Sequence, residues 1–130
     1  MAYKDRILIV DDVALMRDLL KGVLRGFGYS DVQDASCGED ALKLMQRDSF
    51  SIVMLDINMP GISGMKTLQK LRELDGDVFV VMVSAHSSAE NVKQAIENGV
   101  DGFIVKPYTQ KKVGEMLEKY RRRVSVGDVG

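Results

Sequence analysis

Val53-Met54-Leu55-Asp56-Ile57-Asn58-Met59-Pro60-Gly61 is the stretch whose reading decides the fold. An apolar run over residues 52–55 stops at an acid, and Pro60-Gly61 marks a turn soon after. A short apolar run closed by turn residues reads as a buried strand. Asp56 then stands at the carboxyl end of that strand, the edge where open α/β sheets collect ligands and chemistry. A carboxylate there serves as a metal ligand, a nucleophile or a helix cap. Asp11 and Asp12 close an earlier apolar strand, residues 7–10, in the same way. If the two strands are parallel neighbours, three carboxylates meet at one edge.

The flanking sequence supplies the rest of such a sheet. A first strand over residues 6–10 precedes a helical stripe at Met16, Leu19, Leu20, Val23, Leu24 and Phe27. Gly28 is placed to end that helix in a left-handed conformation. Residues 32–35 read as a second, weaker strand. Ser36 and Glu39 match a capping box that opens a helix carried by Ala41, Leu42, Leu44 and Met45. The third strand covers residues 51–56. Ser63 is a candidate cap for a helix carried by Met65, Leu68 and Leu71. Residues 78–83 are uniformly apolar, as a strand covered on both faces requires. Ser87 and Glu90 give a second capping box, for a helix with Val92, Ala95 and Ile96 that Gly99 stops. Residues 102–105 form the fifth strand. Thr109 opens the last helix, with its stripe at Val113, Met116, Leu117 and Tyr120, and Arg121, Arg122 and Arg123 suit a helix carboxyl end.

Strand and helix alternate five times, so a parallel sheet with helices on both faces is expected. The fold class is α/β, a flavodoxin-like (βα)5 three-layer sandwich. Its strand order, 2-1-3-4-5, is adopted from other proteins of this layout and sets the first and third strands side by side. The expected domain covers residues 4–123, and residues 124–130, with two glycines and no apolar stripe, are expected to form a flexible tail.

Composition fits this reading and excludes others. The 130 residues suit one domain with one core. Apolar residues make up 45% and charged residues 28%, with a formal net charge of −1, so no whole-molecule field attracts nucleic acid or anionic lipid. A single cysteine, Cys37, rules out an intramolecular disulfide and a cysteine metal cluster. No segment has the apolar core of a signal peptide or the ~20 apolar residues of a membrane span. A cytoplasmic location is the expectation.

Three converging carboxylates need a counter-charge. Two of them ~5 Å apart at an effective dielectric of ~20 repel by roughly 3 kcal/mol. They must shift their pKa values or hold a cation, and an all-oxygen set suits a hard ion such as Mg²⁺. The fifth strand ends in Lys106-Pro107 and the fourth in Ser84. Metal, ammonium, hydroxyl and a carboxylate nucleophile together make a site for a phosphoryl group.

The pair Asp11-Asp12, Asp56 followed by Ile-Asn-Met-Pro-Gly, Ser84-Ala85, and Phe103-Ile104-Val105-Lys106-Pro107 stand in order at the strand ends. Together they give the chain its resemblance to the receiver domain of two-component response regulators, of the single-domain CheY type. The resemblance covers about residues 4–120. It implies that Asp56 is the phosphoacceptor. It implies that Asp12, Asp56 and the backbone carbonyl of Asn58 bind Mg²⁺ directly and that Asp11 acts through water. Lys106 would pair with the phosphoryl group. Ser84 would swing toward it while Phe103 turns inward. Asn58 and His86 would tune the lifetime of the phosphorylated state. The Lys106-Pro107 bond would be cis. Where the family often has threonine and tyrosine, this chain has Ser84, which keeps the hydroxyl, and Phe103, which lacks the phenol.

The function so implied is a phosphorylation-controlled switch rather than an enzyme. A histidine kinase or phosphotransfer protein would donate to Asp56. A separate effector would read the face made by the fourth helix, fifth strand and fifth helix, around Lys93, Phe103, Lys112 and Glu115. A phosphorelay carrier or phosphate sink without a dedicated effector uses the same residues. Flavin binding is disfavoured, because Asp11-Asp12-Val13-Ala14 presents negative charge where a phosphate loop would lie. A Mg²⁺-dependent phosphohydrolase would need a substrate-binding cap.

Overall fold

The structure is a computed structural model that describes residues 3–59, 61–85 and 88–129, with side chains to residue 125. Strands and helices alternate as β1 Ile7–Val10, α1 Ala14–Gly26, β2 Val32–Ala35, α2 Gly38–Arg47, β3 Ile52–Asp56, α3 Gly64–Leu74, β4 Phe79–Ser84, α4 Ala89–Glu97, β5 Gly102–Val105 and α5 Gln110–Val129. The five strands form one parallel sheet in the order β2-β1-β3-β4-β5. This is the expected flavodoxin-like layout.

Burial follows from the period-2 geometry of strands. Ile7, Ile9, Ile52, Met54, Phe79, Val81, Val83 and Ile104 point to one face, where Leu20 and Leu24 of α1 and Val113, Leu117 and Tyr120 of α5 cover them. Leu8, Val10, Val53, Leu55, Val80 and Met82 point to the other, under Ala41 of α2, Leu68 and Leu71 of α3 and Ala95 of α4. All residues of β1, β3 and β4 are buried, as strands covered on both faces must be. Gly28 and Gly99 end their helices at φ +96° and +84°, as their positions foretold.

Four local expectations are corrected. The cap of α2 falls at Cys37, not Ser36, and no side chain bonds there. The cap of α4 is Ser88, whose hydroxyl accepts from Asn91 N–H at 3.1 Å; Ser87 lies outside the described residues. Leu19 of α1 and Phe27, which caps its carboxyl end, are exposed rather than core, since the arc through Leu20 and Leu24 is the one that meets the sheet. The expected tail is helical: α5 continues through Val129. The reason is that Val124 continues the stripe of Leu117 and Tyr120 and packs on the same core. Arg121 and Arg123 accordingly serve as tertiary ties. Arg121 pairs with Asp5 and stacks over Tyr3 and Tyr120, and Arg123 pairs with Asp101.

Candidate functional site

Parallel pairing in register aligns the carboxyl ends of the central strands. Val10 lies opposite Leu55 and Asp56 opposite Val83, so Asp11 and Asp56 emerge side by side. One carboxylate oxygen from each of Asp11, Asp12 and Asp56 lies within 4.8 Å of the others. Asp11 and Asp56 are buried, and Asp12 is exposed. Lys106, at the end of β5, reaches across with its ammonium 2.8 Å from Asp11 Oδ2 and 3.3 Å from Asp56 Oδ2. Its peptide bond to Pro107 is cis, as expected.

The two acids of the pair are held differently. Asp11 Oδ1 accepts from Val13 N–H at 2.9 Å and its Oδ2 takes the Lys106 ammonium, so both carboxylate oxygens are engaged. Neither acid caps α1: Val13 holds the cap position with no side-chain bond. Asp12 projects toward solvent beside the cluster.

The loop after Asp56 is fixed by α3. Asn58 N–H donates to Asp56 Oδ1 at 3.3 Å, and Gly64 N–H donates to Ile57 O at 2.7 Å. A Cβ on Gly64 would sit 2.2 Å from the Asp56 carbonyl oxygen, so only glycine admits this approach of α3 to the end of β3. Ser63 caps α3 by accepting from Lys66 N–H at 3.1 Å, as the sequence foretold.

Ser84 closes β4 fully buried, and its carbonyl accepts from Lys106 N–H at 2.7 Å. Phe103 lies opposite Met82 and Val105 opposite Ser84, which sets Ser84 and Phe103 on the same sheet face, the one α4 covers. Phe103 is half-buried against that core. Lys93, Lys112 and Glu115 are exposed on α4 and α5, beside Ile96 and Val105, which are 65% and 45% exposed. His86 and Pro60 lie outside the described residues.

Electrostatics follow from crowding at a buried edge. Burial lifts the Asp56 carboxyl above its ordinary range; the Asp11 charge adds to this, while Lys106 and the Asn58 N–H oppose it. Burial alone would lower the Lys106 ammonium, but its hydrogen bond to Asp11 and the two carboxylate charges push it up. Three carboxylates against one ammonium leave two negative charges at the edge. A divalent cation balances them, and a set of oxygen donors alone fits a hard ion.

Sequence reasoning missed Arg17. Its guanidinium donates from Nη1 to the Asp11 carbonyl at 2.7 Å and from Nε to Asp34 Oδ2 at 2.9 Å. An arginine on a polar helix face carries no signal of this in one dimension.

A parallel sheet of this order, with an acidic trio and a lysine at its carboxyl edge, has the layout of a receiver domain. The chain belongs to the response regulator receiver domain family, which it matches over residues 7–118. It is 37% identical to the chemotaxis protein CheY-3 of Vibrio cholerae, over 92% of this chain and 93% of that one. In structure it is similar to a CheY-like receiver domain protein from Methanospirillum hungatei, with a TM-score of 0.87 and 30% identity over 93% of this chain and 97% of that one. It is also similar to response regulator TrrA of Thermotoga maritima in complex with Mg²⁺–BeF, with a TM-score of 0.81 and 33% identity over 89% of this chain and 98% of that one. The protein therefore works in phosphorylation-based two-component signalling, as a signalling domain rather than a classical enzyme. Receiver domains bind Mg²⁺ at this acidic pocket, and the oxygen cluster here fits that ion. Among the described residues no helix is long and apolar enough to cross a membrane.

Proposed function

We propose that Asp56 is the phosphoacceptor of a phosphorylation-controlled switch. The observation that carries this reading is the convergence of Asp11, Asp12 and Asp56 within 4.8 Å, with the Lys106 ammonium bridging two of them. Asp12, Asp56 and the carbonyl of Asn58 would hold Mg²⁺, and Asp11 would act through water. When bound, the ion supplies charge neutralisation for phosphoryl oxygens. A carboxylate oxygen of Asp56 attacks phosphorus of a phosphohistidine on a histidine kinase or phosphotransfer protein. The P–N bond breaks, the imidazole leaves with its electron pair and takes up a proton, and an acyl phosphate forms on Asp56. Lys106 leaves its carboxylate partners to pair with the new phosphoryl charge. Loss of the group is the attack of water on phosphorus, which returns the Asp56 carboxylate. Asn58 and His86 set how fast this happens.

The readout is local charge coupled to packing. The Ser84 hydroxyl turns to the phosphoryl oxygens and vacates space behind it, and Phe103 rotates inward. The α4-β5-α5 face, with Lys93, Lys112, Glu115 and the exposed Ile96 and Val105, then binds a separate effector. A fully buried Ser84 beside a half-buried Phe103 on one sheet face supports that coupling. A second reading, a phosphate carrier without an effector, uses the same site and differs only in the partner. A pull-down with phosphorylated protein separates them: the switch retains a protein that prefers the phosphorylated form, the carrier only histidine donors and acceptors.

The direct test is incubation with acetyl phosphate. Wild type should gain one labile phosphoryl group only when Mg²⁺ is present, and Asp56→Asn should gain none. Equal labelling of that variant at another residue would overturn the assignment.

A further inference from the structure

We propose that Arg17 is a positioning residue that orients the Asp11-Asp12 peptide, and through it the Asp12 carboxylate, for the cation. The inference rests on the reading of the site given above. Asp12 is exposed, so its direction is set by the backbone on either side. The Asp11 carbonyl and the Asp12 N–H belong to one planar unit, and fixing the carbonyl fixes the plane from which the Asp12 Cα departs. Arg17 Nη1 donates to that carbonyl at 2.7 Å. A free arginine would hold it poorly, but this one is held in turn: its Nε donates to Asp34 Oδ2 at 2.9 Å. Asp34 lies in β2 opposite Ile9 of β1, so the clamp ties the acidic loop to the rigid sheet. The guanidinium is one planar unit, and its two bonds fix both distance and orientation. Arg17 and Asp34 are 17% and 29% exposed at their side chains, which protects the pair from solvent and salt. Lys21, one helical turn on, pairs with the same Asp34 oxygen at 3.2 Å. Among the described residues, Lys21 makes no bond to Asp11.

That difference between Arg17 and Lys21 supplies the test. The chain contains no tryptophan, so Mg²⁺ binding is followed by titration calorimetry or by amide chemical shifts. Arg17→Met keeps the apolar stem of the side chain and removes both donors. It should weaken Mg²⁺ binding about tenfold or more, the usual scale for residues that orient metal ligands. Arg17→Lys keeps the charge but reaches one acceptor, and should fall between. Lys21→Ala removes a partner of Asp34 without touching Asp11, and should bind Mg²⁺ as wild type does. Equal Mg²⁺ affinity in wild type, Arg17→Met and Arg17→Lys would overturn the proposal. So would a loss in Lys21→Ala as large as that in Arg17→Met, which would trace the effect to pairing of α1 with β2. Absence of Mg²⁺ binding in wild type itself would instead overturn the underlying reading of the site.

Discussion

Aspartates stand at both edges of the sheet, and their surroundings are built in opposite ways. At the amino edge Asp101, just before β5, takes Arg72 and Arg123, each at 3.0 Å, and its Oδ2 also accepts from Val80 N–H at 2.9 Å. One carboxylate there meets two guanidinium groups. Arg72 also donates to the carbonyls of Val78, Gly99 and Gly76. At the carboxyl edge three carboxylates share one ammonium. The amino edge is saturated and joins α3, α5 and the strand ends. The carboxyl edge is short of positive charge, and burial has already lifted the Asp56 carboxyl. An acid surrounded by donors is a structural tie. Buried acids facing one another are a site waiting for a cation or a reaction.

The contrast is broken most directly at Arg72. Its side chain is 18% exposed and serves three carbonyls and a carboxylate. Arg72→Ala should cost about 1–3 kcal/mol of stability in urea unfolding, since charged hydrogen bonds are lost and the carbonyl of buried Val78 loses its donor. Mg²⁺ affinity should stay unchanged, because among the described residues no hydrogen bond or ion pair joins Arg72 or Asp101 to the acidic trio. A loss below about 1 kcal/mol, or a parallel loss of Mg²⁺ binding, would show that the two edges are not built as described.

How much of this was legible in the sequence follows from the same contrast. Strand ends are one-dimensional facts: an apolar run that stops at Asp11, Asp56, Ser84 or Lys106 places that residue at the carboxyl edge whatever the details of packing. The strands and the residues at their ends could therefore be read, while the strand order that brings the acidic trio together came from other proteins of this layout. Helix faces were read less well. A 3.6-residue stripe on α1 included Leu19 and Phe27, because periodicity defines an arc but not how much of it the sheet covers. The cap at Ser36 was misplaced by one residue, since the helix opens after Cys37 with no side-chain cap bond to mark the place. The helical run past Arg123 was missed because Val124 alone extends the stripe. Arg17, Arg72 and Arg123 were not legible as ties at all. Their partners are backbone carbonyls and acids brought near only by the fold, and no spacing encodes them.

A smaller effect sharpens the carboxyl edge. Asp12 is the exposed member of the trio, within 4.8 Å of both buried acids, and among the described residues no hydrogen bond or ion pair holds it. Without a divalent ion, Asp12→Asn should relieve repulsion and raise stability by a few tenths to about 1 kcal/mol. With Mg²⁺ the order should reverse, because the ion stabilises only the chain that binds it. Thermal unfolding of both proteins in chelator and in millimolar Mg²⁺ measures this. A variant no more stable than wild type in chelator would show that the trio is not strained by its charge.

The smallest effect lies in the tie beside the site, at Asp34. Burial would raise its carboxyl, but hydrogen bonds from Arg17 and Lys21 outweigh that, and the folded-state value lies below the ordinary one. The unfolded chain therefore holds the Asp34 proton more tightly than the folded chain does. Stability from this group is fully present above the ordinary carboxylate range and is lost as pH falls through the lowered folded value. Asp56 has the opposite sign, since its folded carboxyl is raised, so the two groups must be separated by substitution. The quantity to follow is the stability difference between wild type and Asp34→Asn, in chelator, from neutral pH downward. It should favour wild type by a few tenths to about 1 kcal/mol near neutrality, as expected for a partly exposed pair. The advantage should shrink toward zero in acid. A difference that stays constant across the range would mean that the Asp34 charge contributes nothing and that Arg17 is held by packing alone. A difference that grows in acid would reverse the sign of the shift, and with it the account of why Arg17 stays fixed on the loop that carries Asp12.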